Sequence, residues 1–290
     1  MNYTLSKDLE LRERAQSAFP AGVYGHQAAA SLSPDHPQFF ARAQGGRLWD
    51  VDGNEYIDFM CGYGTNLLGY NHPGVDAAAA RQQAVVDCAT GPSPLMVELA
   101  ETFKAKCAHA DWALFAKNGT DATTICLMTA RAQTGRNIIL VAEGAYHGAG
   151  PWCTPGPVGV TEADRANQIT YHFNDVASLK AAADQAGDDL AAIVVSPFKH
   201  DVFVDQEWPS NEFATAMRAL CDQKGAALIL DDVRCAFRFS LGSTWETIGV
   251  LPEANYEPSG SSTCRVTSTT PWRTPIGDSP PSTVWIRSFG

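Results

Sequence analysis

The feature that most constrains this chain is an alternation. Between residues 74 and 252, short wholly apolar runs take turns with longer segments of helical period. The apolar runs are Trp112-Ala-Leu-Phe115, Ile138-Ile-Leu-Val141, Ala191-Ala-Ile-Val-Val195 and Ala226-Ala-Leu-Ile-Leu230. A strand with one wet face alternates apolar and polar residues. A strand apolar at every position is buried on both faces, which requires helices above and below it. The intervening segments supply them: 94–106, 121–133 with a stop at Gly135, 176–186, and 211–223 with a cap at Gly225. The pattern predicts an α/β fold with a mostly parallel sheet flanked by helices.

The flanks have other textures. Residues 1–20 are charged and helix-like. Three short strand patterns then lie at 39–43, 47–51 and 56–59, with turns at Gly45-Gly46 and Asp52-Gly53-Asn54, which predicts a small antiparallel meander. A glycine-rich stretch, 61–66, follows. Beyond residue 252, Ser, Thr, Pro and Gly make up over half of the residues, lysine is absent and neither period is visible. That tail is expected to be disordered or poorly packed. The expected organisation is an N-terminal segment 1–73, a large α/β domain 74–252 and a tail 253–290.

Composition narrows the partners. A 45% hydrophobic chain of 290 residues can bury a sizeable core. A net charge of −11 argues against nucleic acid and anionic membrane as partners. No apolar run reaches the roughly 18 residues of a membrane span, and the start has no apolar signal core, so a cytoplasmic protein is expected. The eight cysteines contain no C-x-x-C pair, which fits free, mostly buried thiols. The seven histidines have no H-x-x-x-H spacing, so no metal site is expected.

Three constellations can carry chemistry. In Phe115-Ala116-Lys117-Asn118-Gly119-Thr120-Asp121, a strand pattern enters a glycine turn and then a helix. The N–H groups and dipole of the helix start suit a phosphate, although an ordinary N-cap explains the same residues. In Leu230-Asp231-Asp232-Val233, two carboxylates end an apolar strand, where α/β sheets place ligands. They are either paired with a buried cation or donor, or form a solvated turn. In Gly144-Ala145-Tyr146-His147-Gly148, an aromatic residue and a histidine sit between glycines after a strand, which suits a ring platform or a plain loop. All three follow strands on one predicted edge.

With these blocks in order, residues 10–252 resemble the class III aminotransferases of fold type I, closest in pattern to their glutamate-1-semialdehyde 2,1-aminomutase members. The matching stretches are Gly46-Arg-Leu-Trp-Asp-Val-Asp-Gly-Asn-Glu-Tyr-Ile-Asp-Phe59, Leu68-Gly-Tyr-Asn-His-Pro73, Asn118-Gly-Thr-Asp-Ala-Thr-Thr124, Ala130-Arg-Ala-Gln-Thr-Gly-Arg136, Gly144-Ala-Tyr-His-Gly148 and Asp231-Asp-Val-Arg-Cys-Ala-Phe-Arg238. The resemblance implies pyridoxal 5'-phosphate as cofactor. Asn118, Gly119 and Thr120 match its phosphate site, and Tyr146, with His147 beside it, matches the ring platform. Asp231 matches the acid at the ring nitrogen, Val233 the residue on the ring's other face, and Tyr63 an aromatic wall of the substrate pocket. The resemblance further implies a homodimer and transfer or internal shift of an amino group on a small amino acid or amino aldehyde.

The chain departs from the family's pattern at several points. Asn118 and Asp121 replace Ser and Glu, and Asp232 replaces Glu. The family's Glu-Pro segment ending in an Asn near the ring hydroxyl is Ser196-Pro197-Phe198-Lys199-His200-Asp201, which puts a carboxyl, Asp201, in place of an amide. The family also has a lysine on a strand after the aspartate, which forms a Schiff base with the cofactor and moves the substrate proton. Here the last lysine is Lys224. Lys117, Lys199 and Lys224 lie elsewhere in the order, so no catalytic residue is assigned. The resemblance stops near residue 252. The residues beyond are therefore expected to come from a shifted frame or mis-spliced exon, which the nucleotide sequence around codon 252 tests. Two functions compete: an aminotransferase or aminomutase that is inactive for want of its lysine, and a non-catalytic remnant that binds the cofactor or a partner. A nicotinamide dehydrogenase is disfavoured because no G-x-G-x-x-G follows an early strand.

Overall fold

The computed structural model describes residues 3–23, 28, 31–33, 35–86, 89–107, 112–199 and 205–250, and the backbone of three strands further on. Contacts divide the chain into two units, Met1–Gly91 and Pro92–Gly290. The division falls later than the change of texture at residue 73, since the helix over Pro73–Val85 goes with the first unit.

The first unit holds α1 (Ser6–Ala18), then β1 (Phe40–Gln44), β2 (Arg47–Asp50) and β3 (Glu55–Ile57) in a three-stranded antiparallel sheet of that order. A single turn, α2 (Cys61–Gly64), and α3 (Pro73–Val85) follow. Asp50 explains the turn after β2. Its carboxylate accepts hydrogen bonds from the N–H groups of Asp52 and Asn54, from Asn54 Nδ2 and from the Tyr56 hydroxyl. Burial alone would raise the Asp50 pKa, but these bonds outweigh it and hold the carboxyl below its ordinary value. Burial, aided by the bond to Asp50, pushes the Tyr56 phenol up to about 12. Leu5, before α1, offers no side-chain cap; Asp52 caps that helix from afar, accepting from the N–H groups of Lys7 at 2.9 Å and Asp8 at 3.0 Å. Buried Asp8 then fastens α1 to the segment that enters β1 by accepting from the N–H groups of Gln38 and Phe39.

The second unit runs α4 (Pro94–Lys106), α5 (Gly119–Thr134), β4 (Ile138–Ala142), α6 (Glu162–Arg165), β5 (Gln168–Tyr171), α7 (Val176–Ala186), β6 (Leu190–Val195), α8 (Asn211–Lys224), β7 (Ala227–Asp231), β8 (Ala254–Pro258), β9 (Ser262–Val266) and β10 (Val284–Arg287). The sheet order is β10-β9-β8-β7-β6-β4-β5. Pairing is parallel from β5 through β8 and antiparallel among β8, β9 and β10. Gly135 and Gly225 end α5 and α8 in the left-handed conformation, at φ +67° and +61°.

The apolar strands have the environment that their sequence requires. Leu140, Ile193, Val195, Leu228 and Leu230 face one cluster with Leu179 of α7 and Phe213 and Met217 of α8. Their neighbours Ile139, Ala192, Val194, Ala227 and Ile229 face the other, with Ala122, Cys126, Leu127 and Ala130 of α5. Every residue of β6 and β7 is buried. Each fully buried Leu or Ile contributes roughly 1.5–3 kcal/mol.

Three expectations need correction. The 112–115 run is reduced to a single bridge residue, Phe115, in place of a full strand, and Leu114 and Ala116 pack on the cluster beneath α5. The β5 strand was not expected, because it sits at the sheet's edge, half-exposed, and so needs no continuous apolar run. Part of the tail forms β8 to β10, although no strand period is visible there. The thiols also differ from expectation at one place. Cys61, Cys107, Cys153, Cys221 and Cys235 are in no disulfide, but Cys126 is disulfide-bonded. Among the described residues no helix is long and apolar enough to cross a membrane.

Candidate functional site

Alternation along β7 decides where its terminal acids go. Ala227 and Ile229 face α5, so Asp231 continues on that side and Asp232 on the side of α7 and α8. Both are buried. Asp232 accepts from the N–H of Thr244 at 2.7 Å and its hydroxyl at 2.5 Å, which ties down the chain beyond β7. Asp231 meets His147: Oδ2 lies 2.8 Å from His147 Nδ1, with both side chains buried. Among the described residues, its other oxygen, Oδ1, has one long contact, with the N–H of Val233 at 3.5 Å. His147 Nε2 is buried without a hydrogen-bond partner among the described residues. Val233 is half-buried and packs on the α5 side.

The start of α5 lies against the same loop. Asn118 is the N-cap, accepting from the N–H of Asp121 at 2.9 Å, and the Ala122 N–H makes the first helical bond with Asn118 O. The ordinary cap is therefore present, supplied by Asn118. Gly119 and Thr120 precede that first bond. Thr120 Oγ1 accepts from the N–H of Ala149 at 2.9 Å, and Thr123 Oγ1 donates to His147 O at 2.9 Å. Gly148 makes this approach possible: its φ is +127°, and a Cβ there would lie 2.7 Å from Thr120 Oγ1 and 3.0 Å from Thr120 Cα. A Cβ on Gly150 would lie 3.2 Å from Thr120 Cγ2. Trp152 closes the loop. Its ring is parallel to that of His147, with centroids 6.2 Å apart, and its Nε1 donates to Thr124 Oγ1 at 3.0 Å. Cys153 lies close by; burial, with the charge of Asp231 adding to it, pushes its thiol up to about 11.

The structure thus brings together Asn118, Gly119, Thr120, His147, Asp231 and Val233 at the junction of α5, the loop after β4 and the end of β7. Tyr146 is on the same loop and exposed. Asp201 lies outside the described residues. Tyr63 belongs to the first unit, half-exposed in α2 with a left-handed φ of +58°. Thr123 and Trp152 escaped the sequence reading. Thr123 is inside the matched block around Gly119, yet nothing local marks a threonine that bonds 24 residues away.

The three candidate lysines are spread out. Lys117 is exposed just before α5. Lys199 lines a small pocket with Ala142, Glu143, Phe173 and Ser196, on the side of α7 and α8. Lys224 ends α8 at the opposite edge of the sheet, where its carbonyl accepts from Arg136 Nη1 at 2.6 Å. Among the described residues no group of three or more His, Cys, Asp or Glu side chains is placed to hold a metal ion.

Comparison with known proteins adds four findings. Residues 29–251 match the family model of the class-III aminotransferases. The chain is 48% identical over 252 residues to the aminopentol aminotransferase of Sphingopyxis macrogoltabida, covering 87% of this chain and 59% of that protein. It is 35% identical over 265 residues to the glutamate-1-semialdehyde 2,1-aminomutase of Desulforamulus reducens, covering 85% and 60%. The solved structure of the Sphingopyxis sp. MTA144 FumI protein, in its PLP internal aldimine form, superimposes with a TM-score of 0.86 at 46% identity, covering 88% of this chain and 61% of that one. The chain therefore spans about 60% of the length of these relatives.

Proposed function

We propose a function that proceeds from one fact: this chain belongs to the class III aminotransferases, a pyridoxal 5'-phosphate (PLP) family of fold type I. The reading is that the junction of α5, the loop after β4 and the end of β7 holds this cofactor, and that the protein's chemistry is the movement of an amino group. The observation that carries it is Asp231: a buried carboxylate with one oxygen fixed by His147 and the other with only a 3.5 Å contact among the described residues. A buried carboxylate with an open acceptor needs a donor, and a protonated ring nitrogen supplies one.

PLP, when bound, supplies a ring that accepts electrons from a substrate carbon. The chain's own residues do the rest. Asp231 holds the proton on the ring nitrogen. The N–H groups of Gly119 and Thr120, with the dipole of α5, bind the phosphate, and Asn118 fixes the turn that presents them. By the resemblance, Tyr146 and Val233 would hold the two faces of the ring, Asp201 would serve the ring hydroxyl and Tyr63 the substrate. Substrates are small amino acids or amino aldehydes. The relative at 48% identity acts, by its name, on an aminopentol, which widens the range to other amines. Whether the amino group moves between molecules or within one depends on that substrate. A homodimer in the cytoplasm is the expected setting.

Turnover is a separate matter. The family's lysine follows the aspartate strand, and no lysine follows Lys224 in these 290 residues. These residues are expected to bind PLP without turnover, which also keeps the second reading, a cofactor- or partner-binding remnant, in play. Borohydride reduction of the PLP mixture, followed by peptide mapping, separates the two. Saturable binding with no labelled lysine and no amino transfer is the expected result. A single labelled lysine with turnover would overturn the remnant reading and the expected inactivity with it, and the absence of saturable binding would overturn the cofactor site.

A further inference from the structure

We infer that Thr123 is a positioning residue for Asp231, acting through His147 from inside α5. The inference rests on the cofactor reading for its purpose, but not for its geometry.

Thr123 is 1% exposed. Its single hydroxyl proton has three carbonyl oxygens in reach: Gly119 O and Thr120 O, each at 3.1 Å, where a helical threonine commonly back-bonds, and His147 O at 2.9 Å. The last contact is the shortest and spans 24 residues. It pins the backbone of the residue whose imidazole grips Asp231. The neighbouring Thr124 accepts from Trp152 Nε1, and the Trp152 ring lies parallel to the imidazole, 11° from coplanar orientation. Two successive threonines of one helix thus fix the backbone of His147 and the aromatic ring beside it.

The imidazole has one workable tautomer here. A carboxylate oxygen only accepts, so the proton of the 2.8 Å contact sits on Nδ1. A proton on Nε2 instead would be a buried donor without an acceptor among the described residues, and the Asp231 contact would lose its hydrogen. His147 therefore delivers an N–H to Oδ2 and leaves Oδ1 aimed elsewhere. The helix that presents Gly119 and Thr120 in its first turn also sets, through Thr123, the direction of the acid at the far end of the proposed site. If Thr123 merely filled volume, valine would serve as well, since it has nearly the same shape.

The test needs no cofactor, so it stays separate from any failure of PLP to bind. Nitrogen-15 histidine spectra of the 290-residue chain read the His147 tautomer and the exchange of its ring proton, with Asp231→Asn identifying the signal. The expected wild-type result is an Nδ1–H ring with a slowly exchanging proton. Thr123→Val is expected to speed that exchange at least tenfold, and Thr123→Ser to restore it; should the valine variant not fold, Thr123→Ala provides the same comparison. An Nε2–H ring in the wild type overturns the inference. So does a folded Thr123→Val or Thr123→Ala variant with the wild-type signal.

Discussion

Replacing Gly148 with alanine tests how tightly the loop after β4 is locked to α5. The new Cβ would meet Thr120 at three atoms: Oγ1 at 2.7 Å, Cα at 3.0 Å and Cβ at 3.1 Å. Rotating the threonine side chain relieves only the first. The other two belong to the backbone and stem of the helix's first turn, so the loop has to lift, breaking the bond from Ala149 N–H to Thr120 Oγ1. The backbone adds to the cost, because φ +127° is a region that side chains rarely adopt. Overpacking of about 1–3 kcal/mol and backbone strain of similar size give a loss of roughly 2–6 kcal/mol. Urea unfolding of the cofactor-free chain measures it directly, at constant m-value. Gly156→Ala is the control, since a Cβ there meets nothing within 4 Å. A Gly148→Ala variant as stable as Gly156→Ala would refute the close approach of loop and helix, and the geometry of the candidate site with it.

Further predictions concern separate parts of the molecule. Asp232→Ala leaves the Thr244 N–H and hydroxyl without their acceptor and should destabilise the fold by about 2–4 kcal/mol in the same denaturation assay; a loss below about 0.5 kcal/mol would contradict it. Tyr56 has a folded pKa raised to about 12 from 10.0. Its contribution is therefore fully present below pH 10 and lost as pH rises toward 12, so a pH series of melts should show an alkaline loss that Tyr56→Phe removes. Asp50, held below its ordinary value, behaves in the opposite sense: its contribution is present above its unfolded pKa and fades as pH falls through the folded one. Asp50→Asn should flatten that acid limb.

Much of the second unit is legible because its constraints are local. The runs at β4, β6 and β7 have no polar positions, and only a strand covered on both faces tolerates that. Once β7 is placed, the two-residue repeat sends Asp231 toward α5 and Asp232 away. Gly135 and Gly225 announce the helix ends for the same local reason, a left-handed residue at each. The missed features rest on distant partners. The β5 strand is a strand because β4 lies beside it, not because Gln168-Ile-Thr-Tyr171 is apolar. Thr123 and Trp152 matter through bonds to His147 and Thr124, made only after the loop folds back on α5. The strands beyond residue 253 have no period of their own, and their register comes from pairing with β7 and each other.

The central claim is that Asp231 is the acid of a PLP site. Calorimetric titration of PLP into the wild-type chain and into Asp231→Asn tests it most directly. Replacing a charged acceptor by an amide should remove about 1.5–3 kcal/mol, which weakens binding by roughly 10- to 150-fold. Saturable wild-type binding with that loss in the variant is the predicted result. Equal affinity in the two proteins, or no saturable binding to the wild type, would contradict the account.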